Sequence, residues 1–149
     1  MTPPKIGDTR PAPERRTGDP LRAARVILER PQALDNPCWA RSVALLARQA
    51  LEEAIADFWA RNASGMHRAT WRSRFVALRF YVEDPERARD VHHLWATLSE
   101  ATHHQGYELA PTAGELRAWL DDVSRHDAWL RSDGPAGPLR GGARGSAAP

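Results

Sequence analysis

Three times in this chain a side chain able to cap a helix stands directly before a proline: Asp19-Pro20, Asn36-Pro37 and Asp84-Pro85. Each pair is a helix start. The Asp or Asn oxygen accepts a backbone N–H that has no partner inside the helix, and proline at the first helical position presets φ where no donor is needed. Thr112-Ala113-Gly114-Glu115 adds a capping box after "YELAP", and a further start falls near Met66, after the "NASG" break. The spacing predicts helices over 20–30, 37–61, 66–83, 85–105 and 113–131, and no segment reads as a strand.

Each helix has one apolar face to bury. Val43, Leu46, Ala50, Ala54 and Phe58 hold a stripe along the second. Trp71, Phe75, Leu78 and Val82 do so on the third, Val91, Leu94, Trp95 and Leu98 on the fourth, and Leu116, Trp119, Leu120, Val123 and Leu130 on the fifth. Connections of about 2 to 8 residues favour antiparallel neighbours. The expected fold is therefore all-α: an up-and-down antiparallel helical bundle of four long helices plus a short N-terminal helix. Tryptophans at helical spacing are read as core anchors.

A chain of 149 residues with 42% hydrophobic content is one domain's worth. Cys38 is the single cysteine, so the chain can build neither an internal disulfide nor a cysteine-rich zinc site, which suits a reducing cytoplasm. The first twenty residues contain no apolar h-region, and there is no run of about 18 apolar residues, so the expectation is a cytoplasmic protein off the membrane. Residues 1–18 and 132–149, rich in Pro, Gly, Ala and Arg, read as disordered tails flanking a bundle at 19–131. The formal charge is +2, but the tails hold +3 of it and the middle is about −1, so the globule itself is not basic. "RGGARG" at 140–145 is a single copy and reads as linker.

The fourth helix ends in His103 and His104, followed by Gly106 and Tyr107. His92 and His103 lie on one stripe and His93 and His104 on the next. The ends of each stripe are about 16 Å apart at 1.5 Å per residue, too far for one metal ion. His103 and His104 diverge by about 100° and cannot share an ion either. Glu100 and His104 form the one sound ligand pair, and two ligands do not make a centre, so no metal and no cofactor is expected. The structural role for these histidines is at the helix C-terminus, before a Gly106 cap, where imidazolium meets exposed carbonyls.

"LSEATHHQGYELAPTAGELRAWL", together with the long amphipathic "ARSVALLARQALEEAIADFW", resembles the HEPN superfamily over roughly 37–130. These are small all-α domains frequent in toxin–antitoxin and antiviral systems. Many are metal-independent endoribonucleases that pair their sites across a homodimer. The family's motif is an arginine, a polar follower, then a histidine after four to six intervening residues. At His103 and His104 the arginine's positions hold Ala96, Thr97, Leu98 and Ser99. Arg61-Asn62 followed by His67 fits the spacing, and Arg87 precedes His92 and His93 at acceptable distance. The resemblance implies that Arg61, Asn62 and His67, or else His103 and His104 oriented by Tyr107, would carry RNA cleavage by 2′-hydroxyl attack. The histidine would move the proton and the arginine would stabilise phosphate charge.

From Phe58 to Val82 there is no acidic residue, yet five arginines fall there. On one continuous helix Arg68, Arg72 and Arg79 would lie within about 40° of each other, a stripe that can track RNA phosphates. The ordinary alternative is a flank paired with Glu52, Glu53, Asp57, Asp121 or Asp122 on neighbouring helices. Two functions follow from these readings. One is a HEPN-like endoribonuclease dimer of a bacterial stress or antiviral system. The other is a catalytically inactive interaction module of the same shape that binds RNA or a protein partner.

Overall fold

Two of the start signals, Asp84 and Thr112, act as hydrogen bonds in the folded chain. In the computed structural model, which describes residues 18–30, 38–103 and 110–132, Asp84 Oδ1 accepts the Arg87 N–H at 3.0 Å. The Thr112 box closes in both directions: Thr112 Oγ1 accepts from the Glu115 N–H at 3.2 Å, and Glu115 Oε2 accepts from the Thr112 N–H at 2.8 Å. The Thr112 N–H first, and then the Thr112 hydroxyl at 2.8 Å, donate to the charged carboxylate and hold the Glu115 carboxyl below its ordinary value. The helices are α1 (Gly18–Leu28), α2 (Trp39–Asn62), α3 (Trp71–Leu78), α4 (Pro85–His103) and α5 (Ala113–Ser132). There is no strand among the described residues. Asn36-Pro37 lies outside them, and α2 starts from Cys38 without a side-chain cap.

The third helix differs from expectation. In place of one helix over 66–83 the chain makes a short 3₁₀ turn, Ser64–Arg68, and then the eight-residue α3. Thr70 causes the division. Its backbone is extended, with φ −64° and ψ 156°, and its Oγ1 accepts the Ser73 N–H at 3.2 Å, so a fresh helix nucleates two residues past the turn. At the far end the Phe80 and Tyr81 N–H groups bond back to Ala77 and Leu78, three residues behind them, which closes α3 before Val82.

So short a helix cannot traverse the bundle. It forms a corner between α2 and α4, while the long helices alternate in direction. Arg48 reaches Thr102 and Glu52 receives Trp95, so α2 and α4 run antiparallel. Arg87 reaches the Arg125 carbonyl, whereas Thr97 faces Trp119 across the same cleft, so α4 and α5 are antiparallel too. The two C-termini of α2 and α5 therefore meet, and Arg61 donates to the Leu130 carbonyl there at 3.1 Å.

The core is centred on α2, whose Ala40, Ala44, Ala47, Ala50 and Ala54 let neighbouring backbones approach closely around Leu51, Ile55, Phe58 and Trp59. All six tryptophans meet the core: Trp59 and Trp129 are buried, and Trp39, Trp71, Trp95 and Trp119 pack partly buried against it. Arg48, Glu52 and Trp95 form a polar seam between α2 and α4, with Trp95 Nε1 donating to Glu52 Oε1 at 2.9 Å. No helix of the described residues is long and apolar enough to cross a membrane.

Candidate functional site

Arg61, Asn62 and His67 are each engaged with backbone. Arg61 Nε donates to the Asp57 carbonyl at 3.2 Å besides its bond to Leu130, and Asn62 Nδ2 donates to the Phe58 carbonyl at 2.9 Å. The Leu130 carbonyl is one that the C-terminus of α5 leaves open, while Asp57 and Phe58 lie one turn back along α2. His67, exposed in the 3₁₀ turn, meets the Ser64 carbonyl through Nδ1. Among the described residues no hydrogen bond joins Arg61 or Asn62 to His67. His103 is exposed on the last turn of α4, while His104, Gly106 and Tyr107 lie outside the described residues.

The basic corner resolves into two kinds of arginine. Arg61 and Arg74 are engaged: Arg74 donates to the carbonyls of Ala69 and His67, and its guanidinium lies 4.4 Å from the Trp71 ring centre. Arg68, Arg72 and Arg79 are exposed and have no hydrogen bond or ion pair among the described residues. Three of the acidic groups that could have neutralised them are turned elsewhere. Glu52 receives Trp95, Asp121 pairs with Arg25 at 2.9 Å, and Asp122 pairs with Arg125.

These three arginines do not share one helix. Arg68 closes the 3₁₀ turn, Arg72 lies in the first turn of α3, and Arg79 caps its end. The stripe expected on a continuous helix becomes a corner. Two large apolar side chains are exposed beside it, Phe80 at 53% and Val76 at 40%, and the Arg79 guanidinium stacks 4.6 Å from the Phe80 ring centre.

A second feature is a cleft of about 620 Å³ between α4 and α5. Its carboxylates are Asp84, Glu86, Asp90 and Asp122, against Arg87 and Arg125. Both arginines are held: Arg87 lies 4.9 Å from the Trp129 ring centre, and Arg125 pairs with Asp122. His93 and His126 face into the same space beside Trp119. Burial first, and then the charge of Arg87, hold the His126 imidazole below its ordinary value of 6.5, although Asp122 and Asp90 act in the opposite sense. With neutral histidines the lining is formally −2, the wrong sign for a polyanion.

Arg87 and His93 thus share a cleft, whereas His92 turns to the opposite side and stacks on Phe75 and Trp95. His126 and Asp90, which line this cleft, were not among the residues singled out from the sequence. Their signal was present, since Asp90, His93 and Thr97 recur at i, i+3 and i+7 on α4, and Trp119, Asp122 and His126 repeat that spacing on α5. Among the described residues no three His, Cys, Asp or Glu side chains are grouped to hold a metal ion.

Fold and surface together define an all-α bundle with two chemically opposite faces, a basic aromatic corner at α3 and an acidic cleft between α4 and α5. Comparison with family models, with curated proteins and with solved structures finds no match for this chain.

Proposed function

We propose that this protein is a helical interaction module that binds RNA through the α3 corner, with Arg68, Arg72 and Arg79 contacting phosphates and Phe80 offering a ring for base stacking. The observation that carries this reading is the lack, among the described residues, of any hydrogen-bond or ion-pair partner for these three arginines beside exposed apolar surface. Three cations with no internal counter-ion are free to release counterions from a polyanion, and aromatic stacking adds sequence-tolerant affinity. Engagement of Arg61 and Asn62 with backbone carbonyls favours binding over cleavage. On this reading the chain is a HEPN-like module of a stress or antiviral system without a working Arg…His pair.

One observation keeps the endoribonuclease alternative in view. His67 meets the Ser64 carbonyl through Nδ1, which leaves Nε2 for proton transfer to or from RNA, a step that needs no metal. The homodimer implied by the resemblance belongs to the same proposal, and light scattering would show a particle of twice 16.6 kDa.

The test incubates the full chain with single-stranded RNA and tRNA in EDTA across pH 5–8, following binding and cleavage together. Binding without cleavage is expected. Its logarithm should fall against log salt with a slope of about −2 for three contacts on a single strand. Cleavage that disappears in His67→Ala would replace the module by the endoribonuclease.

A further inference from the structure

We propose that the notch between α3 and α4, where Arg79, Arg89 and His92 converge over Phe75, is a phosphate subsite for RNA bound at the α3 corner. This inference rests on the RNA-binding reading and names the atoms that would hold one backbone phosphate.

The notch has a volume of about 60 Å³. One water molecule needs roughly 10–15 Å³ of such space, so a compact tetrahedral oxyanion can enter the notch. Phe75 and Val76 form its apolar wall, and Arg79, Arg89 and His92 supply its polar groups.

The imidazole is held in place by stacking. His92 lies 6.2 Å from Phe75 at 15° and 6.2 Å from Trp95 at 26°, and Phe75 and Trp95 stack at 4.9 Å. Three near-parallel rings fix the plane of the imidazole and leave its nitrogens at the edge. Among the described residues His92 has no hydrogen-bond partner, so those nitrogens remain available to a ligand. Arg79 is steadied on the face of Phe80 and has no carboxylate partner. Arg89 pairs with the exposed Glu86 through one terminal nitrogen. A guanidinium carries five N–H donors in a planar fork, so donors remain for a phosphate.

The electrostatics of the notch agree. Burial, then the charges of Arg72 and His93, hold His92 below its ordinary value of 6.5. The charged groups around the ring are Arg72 and Arg79 from α3, with Arg89, its partner Glu86 and His93 from α4. A bound phosphate offsets that positive field and makes protonation of His92 favourable. Proton uptake and phosphate binding are therefore linked, and RNA affinity should rise as pH falls from 7.5 to 5.5.

The experiment follows the His92 ring protons of the full chain by NMR through a pH titration, alone, with inorganic phosphate and with a short single-stranded RNA. RNA affinity is measured in parallel for wild type, His92→Phe and Arg79→Gln. His92→Phe keeps a ring in the stack while removing both nitrogens, and its melting temperature reports whether the fold survives. Phosphate and RNA should each raise the His92 midpoint by roughly half a unit or more. Wild-type affinity should tighten with acidification, by less than about tenfold per pH unit for one linked proton, and His92→Phe should lose that dependence. RNA binding that leaves the His92 midpoint unmoved overturns the subsite and leaves the RNA reading standing. Phosphate that moves His92 while RNA fails to bind supports the subsite and overturns the RNA reading. Polyglutamate that displaces RNA and moves His92 equally overturns the assignment to phosphate, and an absence of all these responses overturns both.

Discussion

The α3 corner and the α4/α5 cleft border the same helix and are built from the same residue types, arginine, histidine and an aromatic ring, yet they present opposite chemistry. In the cleft each arginine is held inside the fold, Arg125 by Asp122 and Arg87 by the Trp129 face and the Arg125 carbonyl. At the corner Arg68, Arg72 and Arg79 have no hydrogen-bond or carboxylate partner among the described residues, and the Phe80 ring under Arg79 is itself exposed. A guanidinium is a binding group for an external anion in proportion to what the fold leaves unengaged, so internal partners decide which face attracts a polyanion.

The largest effect should come from removing the ring that seats the corner. Phe75 is 1% exposed and packs between Trp71, His92 and Trp95. Phe75→Ala should lower stability by about 3–5 kcal/mol in urea unfolding and weaken RNA binding with it. Trp119→Ala, at the half-buried wall of the cleft, should lower stability less and leave RNA binding unchanged. Equal losses for the two variants would erase the distinction between a seated corner and a cleft wall.

Next in size is the charge itself. Replacing Arg68, Arg72 and Arg79 together by Gln should weaken RNA binding about 50-fold at low salt and flatten its salt dependence. The melting temperature should barely move, because no described hydrogen bond or ion pair is lost and the Arg79–Phe80 stack is exposed. Asp90→Asn in the cleft should leave RNA affinity intact. If instead it weakened binding while the triple variant did not, the two faces would exchange roles.

A smaller effect is expected at the residue that both starts α4 and lines the cleft. Asp84→Ala removes the oxygen that accepts the Arg87 N–H, which should cost about 1 kcal/mol of stability by thermal or urea unfolding. RNA binding at the corner should be retained. Loss of binding would show that the corner depends on the α4 start more than on α3.

The smallest effect should be a pH dependence of stability set by His126 and His92, both held below 6.5 in the folded chain. An unfolded imidazole takes up its proton at higher pH than these do. The stability they contribute is therefore complete above about 6.5 and declines as pH falls through that value toward their folded midpoints. The melting temperature should drop by a few degrees at most between pH 7 and 5, and His126→Gln should flatten the drop. A drop unchanged in that variant would remove the cleft histidine from the account.

The all-α class and the starts of α4 and α5 were legible because they are local events. The oxygens of Asp84 and Thr112 reach N–H groups two or three residues away, so the chain needs no tertiary contact to announce them. The Thr70 cap was equally local, but a start placed near Met66 and the apolar spacing of Trp71, Phe75, Leu78 and Val82 suggested one unbroken helix and hid it. The long faces that bury α2 and α5 followed from helical periodicity in the same way, as the burial of Leu51, Phe58, Leu116 and Leu120 shows.

The partner of each polar side chain was decided by packing. That Arg61 would meet the Leu130 carbonyl 69 residues away, or that Asp121 would turn to Arg25, depends on which helices lie side by side. The spacing of Arg61, Asn62 and His67 carries no information about such distant groups. A hydrogen bond forms only when two groups come within about 3 Å in the right direction, so whether an arginine is a structural clamp or a free cation is fixed by the tertiary arrangement. By itself the sequence determined the helices and the supply of arginines. The short α3 corner, and the engagement of the acidic side chains elsewhere, determined which of those arginines remain open to a partner.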